Sequence, residues 1–225
     1  MPKSEVGVRR TSRAQEDYLK AIYQLGGSAE LVPTSRLAQE LKLSAASISE
    51  MLDKLASLKM VDHNRYRGAR LTTEGEALAL EMVRHHRLLE TYLVSALGYG
   101  WDEVHEEADR LEHAISERLE ERMWTALGRP RVDPHGDPIP TVDGRLQPRG
   151  LRSLVACTGG ERVVVERVSD RDPEKLRAIS ALGLNPGTRV RVVAESRWEG
   201  PILLALGGRR LEVPLGLARA LFVES

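Results

Sequence analysis

The sequence predicts a mainly α-helical chain in three parts: a winged helix-turn-helix over residues 1–75, a helical domain over 76–150, and a small antiparallel β-barrel over 151–225. Three observations predict this. Apolar residues recur at helical spacing as far as about residue 127. A stretch rich in proline and glycine, residues 128–150, then interrupts the pattern and reads as a linker or irregular loop. Beyond it the apolar segments are short, rich in β-branched residues and bounded by glycine or proline, as strands are. A chain of 225 residues is long enough for two or three such pieces, each with its own core.

The elements follow in order. Ala14, Tyr18, Ala21, Ile22 and Leu25 share one helical face, and Gly26-Gly27 ends that helix. Pro33-Thr34 opens a second helix to about Leu41, with Thr34 or Ser35 as cap. After the break at Lys42-Leu43-Ser44, a third helix over Ala45–Leu58 turns Ile48, Leu52 and Leu55 inward. Helix, tight turn and helix in so few residues form a helix-turn-helix. Met60 to Thr72 then holds two short extended pieces around a basic turn, a β-hairpin wing. Thr72 or Thr73 caps a long helix to about Leu97, and a further helical stretch runs from Asp102 to Leu127. In the last part the expected strands are Arg162–Val168, Arg189–Val193, Ile202–Leu206 and Arg209–Val213, with one helix, Pro173–Leu182, among them.

Composition excludes several classes. A single cysteine allows no disulfide framework and no cysteine-rich metal cluster. Met1 to Arg13 is polar and lacks the apolar run of a secretory signal, so the chain reads as soluble and cytoplasmic. The net charge of zero conceals a pattern: residues 1–75 carry +3, residues 76–127 carry −7, and residues 128–225 carry +4. The acidic middle also holds four of the six histidines, His85, His86, His105 and His113.

Carboxylates and imidazoles on helices are donors for a divalent cation. His105, Asp109, Glu112 and His113 lie at i, i+4, i+7 and i+8, on one helical face. His86 and Glu90, at i and i+4, form a second pair on the long helix, and Asp17 offers a carboxylate from the first helix. One turn of helix fills only part of an octahedral shell, so several elements must contribute. Burying these carboxylates with no cation would raise their pKa values or disturb packing. His63, His85 and His135 have no partner at ligand spacing and read as structural or exposed, and Cys157 reads as a small core hydrophobe.

The third helix has the face of a DNA reader. Ser44, Ala45, Ala46, Ser47, Ser49 and Glu50 lie at or near its N-terminal, solvent-facing side, small enough to enter a major groove. The serines suit phosphates or base edges, and the alanines suit a thymine methyl. Arg65, Arg67 and Arg70 in the wing, with Arg36 and Lys54, are placed for backbone contacts. A modest basic surface fits a dimer that spreads it over two half-sites of a palindrome.

These motifs resemble a known family. Gln15-Glu16-Asp17-Tyr18-Leu19-Lys20-Ala21-Ile22-Tyr23, Arg84-His85-His86-Arg87-Leu88-Leu89-Glu90 and Val104-His105-Glu106-Glu107-Ala108-Asp109-Arg110-Leu111-Glu112-His113 are similar to segments of the diphtheria toxin repressor / manganese transport regulator family. Asp137-Pro138-Ile139-Pro140 resembles its inter-domain loop, and Leu182-Gly183-Leu184-Asn185-Pro186-Gly187 its C-terminal SH3-like, FeoA-type domain. The resemblance runs from about residue 10 to the end. It implies a homodimer joined mostly through residues 102–127, with two metals per subunit. Asp17, Asp109, Glu112 and His113 match the primary site. His86, Glu90 and His105 match an ancillary site, to which the barrel adds Asp172 and Glu174. Iron-type members carry methionine and cysteine where this chain has Asp17 and Asp109, so hard oxygen replaces soft sulfur. That favours Mn²⁺, with Fe²⁺ the alternative. Lys20 stands where manganese-type members often carry glutamate, a departure from their two-metal cluster.

The expected function is a metal-dependent transcriptional regulator of metal-homeostasis genes. Metal would clamp the first helix to the dimerisation helices and so favour operator binding. A winged-helix regulator tuned by a small organic ligand is the alternative. An enzyme is not expected, since no His-Glu-x-x-His motif or nucleophile beside an open metal position is present.

Overall fold

The computed structural model describes residues 11–147, 149–169, 172–196 and 200–224. The chain divides into two compact units, one of residues 1–85 with 140–145 and one of residues 86–139 with 146–225.

In the first unit, α1 (Arg13–Gln24) starts in a capping box: the Ser12 hydroxyl accepts from the Gln15 amide, and the Gln15 side chain accepts from the Ser12 amide. α2 (Thr34–Leu41) follows Pro33 and stops at Lys42, whose φ of 55° is left-handed. Two residues later Ser44 caps α3 (Ala45–Ser57), accepting from the Ser47 amide at 3.1 Å. Leu19, Ile22, Leu37, Ile48, Leu52 and Leu55 are fully buried and form the core between these helices.

The wing is β1 (Val61–Asn64) paired antiparallel with β2 (Gly68–Leu71), in register from Val61 opposite Leu71 to Asn64 opposite Gly68. Gly68 is required: at φ 109° a Cβ there would sit 1.9 Å from the Val32 carbonyl oxygen. This approach lets Val32 and Ala69 exchange backbone hydrogen bonds of 2.8 and 3.0 Å, which anchor the wing. α4 (Thr73–Leu97) follows, with the Thr72 hydroxyl accepting from the Gly75 amide.

The second unit holds the rest of α4, then α5 (Val104–Leu111) and α6 (Glu117–Ala126). The stretch expected as one helix to Leu127 is thus two, broken over residues 112–116. Ser116 caps α6 through the Leu119 amide, and a serine in that role starts a new helix instead of continuing the old one. The described part of residues 128–150 is irregular, and part of it packs inward. Asp133, His135, Gly136, Ile139 and Pro140 are buried, and Val132 bridges Pro138.

The C-terminal sheet has six antiparallel strands in the order β3 (Arg152–Ser153), β8 (Leu221–Glu224), β4 (Arg162–Val168), β5 (Arg189–Ala194), β6 (Ile202–Leu206), β7 (Arg209–Val213). Its inward residues, among them Val163, Val165, Val190, Val192, Ile202, Leu204 and Val213, form the largest buried cluster with Leu176 and Ile179 of α7 (Pro173–Ala181). The short α8 (Leu215–Ala218) precedes β8. β3 and β7 end the strand order, so the sheet is SH3-like but its ladder is not closed into a barrel. Among the described residues, no helix is long and apolar enough to cross a membrane.

Candidate metal centre and nucleic-acid interface

The second unit gathers six of the expected donors. His86 of α4 is 4% exposed and bonded on both ring nitrogens. Its Nδ1 lies 2.6 Å from Glu112 Oε2 and 3.2 Å from Asp109 Oδ1. Its Nε2 lies 3.0 Å from Glu90 Oε1 and 2.9 Å from His105 Nδ1. Glu90 Oε1 is also 3.1 Å from His105 Nδ1, so two imidazoles and a carboxylate meet at one point. Asp109 Oδ2 stands 3.7 Å from His105 Nε2, and His113 Nε2 is 3.6 Å from Glu112 Oε1. His86, His105 and Asp109 can each offer a donor atom within 4.8 Å of the others. The helices explain the convergence: His86 and Glu90 are one turn apart on α4, and His105 and Asp109 one turn apart on α5.

Sequence reasoning missed two further candidate donors. Asp133 and His135, on the loop after α6, lie with Glu90 in a second group whose donor atoms are within 4.8 Å of one another, all three buried. His135, expected to be structural or exposed, is 0% exposed and has Nδ1 3.8 Å from Glu90 Oε2. Its Nε2 donates to the Trp101 carbonyl at 2.6 Å. Glu90 Oε2, Asp133 Oδ2 and His135 Nδ1 are buried without a hydrogen-bond partner. Buried polar atoms are nearly always satisfied, so three together single out this group as a candidate cation site. The signal was present in Asp133-Pro134-His135-Gly136-Asp137. The Asp133 carboxylate accepts the amides of His135 and Asp137, both at 2.9 Å, and this aspartate turn aims the imidazole inward.

The three groups also perturb one another electrostatically. Burial opposes charge on Glu90, yet the facing histidines hold it ionised well below the usual carboxylate range. Burial pushes the Asp133 carboxyl up to about 8, with the charges of Glu90 and Asp137 adding to the effect. Burial alone would lower His135, but Glu90, Asp133 and the Trp101 carbonyl outweigh it and raise the ring to about 9. The donors are oxygen and nitrogen throughout and fit a hard or borderline divalent ion.

The loop is held in place by neighbours. Arg87 donates to the Pro138 carbonyl at 2.5 Å and reaches Asp137 at 3.4 Å. Val168 of β4 donates to the His135 carbonyl at 2.8 Å, and Gly136 passes so close to Glu166 that a Cβ would lie 1.9 Å from its carbonyl oxygen.

Three expected donors remain. Asp17 is on α1 of the first unit, half-buried. Asp172 caps α7, its Oδ1 accepting the amides of Glu174 and Lys175, and Glu174 is exposed. Neither belongs to the donor groups among the described residues, so the expected barrel ligands gain no support.

In the first unit Ala45, Ala46, Ser47 and Glu50 are exposed on α3 and Ser49 is half-buried. Ser44 faces Ser47 Oγ at 2.9 Å. Glu50 and Lys54 pair at 2.8 Å, which lowers the Glu50 carboxyl. Arg36, Arg65, Arg67 and Arg70 are exposed; Arg65 reaches Asp53 at 3.4 Å and Arg70 reaches Asp62 at 3.0 Å. His63 ties the wing to α3 through Asp53 at 2.9 Å. Tyr66, at the wing tip between two arginines, is 99% exposed and was not among the expected contacts.

Comparison with known proteins covers most of the chain. The iron-dependent repressor N-terminal DNA-binding domain matches residues 10–69, the iron-dependent repressor metal-binding and dimerisation domain residues 72–141, and the FeoA domain residues 152–225. The iron-dependent repressor IdeR of Mycobacterium leprae is 32% identical, over 93% of this chain and 96% of its own length. The chain belongs to the diphtheria toxin repressor / manganese transport regulator family. The diphtheria toxin repressor of Corynebacterium efficiens is 29% identical over 93% of this chain and 94% of its own. A solved manganese-dependent transcriptional repressor in complex with manganese superposes with a TM-score of 0.86 at 43% identity, covering 94% of this chain and 99% of the other.

Proposed function

We propose that the chain is a cytoplasmic, metal-dependent transcriptional regulator of metal-homeostasis genes, activated by Mn²⁺ with Fe²⁺ as the alternative. The observation that carries this reading is the convergence of His86, Glu90, His105, Asp109 and Glu112, beside the buried and unsatisfied atoms of Glu90, Asp133 and His135. Two ions per subunit suit these donors. One would draw on Asp17, Asp109, Glu112 and His113, and the other on His86, Glu90 and His105, with Asp133 and His135 completing its surroundings. A bound divalent ion supplies positive charge that several carboxylates can share. The donor groups among the described residues contain no cysteine, which favours Mn²⁺.

Asp17 belongs to the first helix of the reading head, whereas Glu112 and His113 follow α5. An ion holding both would fix the DNA-competent arrangement. Metal would then tighten DNA binding, and DNA would tighten metal to the same degree.

The DNA is a palindromic operator met by a homodimer. Support for the dimer comes from an apolar groove of about 480 Å³ lined by Leu89, Tyr92, Leu97, Leu111, Leu119 and Met123. Leu97 and Leu119 are 59% and 46% exposed there, apolar surface that a second copy would cover. Ser47, Ser49, Ala45 and Ala46 would meet base edges, and Arg36, Lys54, Arg65, Arg67, Arg70 and Tyr66 the backbone. Asp109→Ala should abolish Mn²⁺-dependent operator retention in a gel shift, while retention unchanged in Mn²⁺ would reject the clamp.

A further inference from the structure

The solvent face of the C-terminal sheet carries an arginine ladder that the metal chemistry does not use. Strand alternation buries Val163, Val190, Val192 and Leu204, so their neighbours in sequence point outward. Register aligns those neighbours across four strands: Arg162 opposite Arg191, Arg191 opposite Ala205, and Ala205 opposite Arg210. Arg189, two residues from Arg191 along β5, shares the face. All four arginines are exposed. Among the described residues none of the four has a carboxylate in ion-pair reach. Arg149, Arg152, Arg167 and Arg177 of the same unit do, at Glu166, Glu161, Asp137 and Asp102. Glu212 and Glu224 share the face and pair with none of the four; each lies toward one side of it, Glu212 on the edge strand β7 and Glu224 on β8.

Like charges directly opposite each other on neighbouring strands destabilise a sheet. Arg162 opposite Arg191 is such a pair, and an anion over the row would relieve it. The chemistry of the row suits phosphate in particular. Of the sixteen basic residues after residue 127, fifteen are arginine. A guanidinium offers a planar fork that holds a phosphate by two hydrogen bonds, which an ammonium cannot match. Strands about 4.8 Å apart and a two-residue step of roughly 6.7 Å spread the cations over several adjacent positions. The small side chain of Ala205 lies between two arginines and leaves room over the row. A single small anion would occupy one or two of these groups, whereas a chain of phosphates would use them all.

We propose that this face of the FeoA-type sheet contacts the phosphate backbone of duplex DNA, adding a sequence-independent grip to that of the winged helix. The proposal rests on the DNA-binding reading above, which makes DNA the polyanion this protein meets.

The test uses full-length protein in Mn²⁺ and a long random-sequence duplex, so that operator identity plays no part. Binding is measured against salt for the wild type and for the fourfold variant R162Q/R189Q/R191Q/R210Q. Each lost phosphate contact removes about 0.9 from the slope of log affinity against log salt, so four remove roughly 3–4 per protomer. The corresponding fourfold Arg→Lys variant should keep most of the slope. If the fourfold Gln variant does not fold, R162Q/R191Q alone should show about half the change. A Gln variant that binds Mn²⁺ and melts as the wild type does, with an unchanged salt slope, overturns the proposal. Such a result would assign the ladder to an acidic protein partner. Loss of Mn²⁺-dependent operator binding in the wild type would instead count against the regulator reading, so the two failures can be told apart.

Discussion

Gly136 links the loop of Asp133 and His135 to the C-terminal sheet, and replacing it measures that link. Gly136 has φ 87°, and a Cβ there would lie 1.9 Å from the Glu166 carbonyl oxygen and 2.9 Å from the Arg167 Cα. Both atoms are backbone and cannot swing aside, so Gly136→Ala forces the loop away from β4. A left-handed alanine costs about 1–2 kcal/mol. Moving the loop also weakens the 2.8 Å hydrogen bond from the Val168 amide to the His135 carbonyl, about 0.5–1.5 kcal/mol. Reduced freedom of the unfolded chain returns about 0.4–1 kcal/mol. The net loss is about 0.5–3 kcal/mol, or roughly 1–12 °C in Tm at this size. Gly187 is the control, since its φ is 89° and a Cβ there meets nothing within 4 Å. Thermal melting of both alanine variants, with and without Mn²⁺, separates the left-handed strain from the close approach. Gly136→Ala should melt lower than Gly187→Ala and gain less from Mn²⁺, because Asp133 and His135 move with the loop. Equal melting points and equal gains from Mn²⁺ would refute the coupling.

Two further outcomes follow from the second unit. Glu161 is held down to about 2, chiefly by its hydrogen bond from Arg152 and then by Thr158. A folded pKa below the unfolded value of about 4.3 means the stabilisation is present above that pH and is lost as pH falls toward 2. The gap in Tm between wild type and Glu161→Gln should therefore close between those pH values, and a constant gap would contradict the pairing. Leu119→Glu puts a charge into the apolar groove and should shift the protein from dimer to monomer by sedimentation; an unchanged dimer would place the interface elsewhere.

Much of the reading head was legible because its signals are local. Ile48, Leu52 and Leu55 fall at helical spacing, and all three are fully buried. The four long strands after residue 160 are visible as β-branched runs, and Arg162–Val168 forms as expected. β3 and β8 were missed because they are short and their pairing is non-local: Arg152 meets Val223 across most of the domain. The break between α5 and α6 was missed because residues 104–126 keep an apolar period across it, and only Ser116 marks the restart.

The metal centre divides in the same way. His86 with Glu90 and His105 with Asp109 are one-turn pairs on single helices, so their spacing revealed them. Asp133 and His135 lie on a loop where prolines and glycines erase any period. Their burial arises from the Arg87 clamp and the approach of β4, contacts between segments distant in sequence. The same composition made residues 128–150 read only as a linker or irregular loop.

The central claim is that one ion joins donors of the first helix to donors that follow α5. Anomalous scattering from crystals of the Mn²⁺-loaded protein tests it most directly. A manganese peak within bonding distance of the Asp17 carboxylate and of both Glu112 and His113 is the predicted result. Manganese at full occupancy with Asp17 outside its coordination sphere would contradict it.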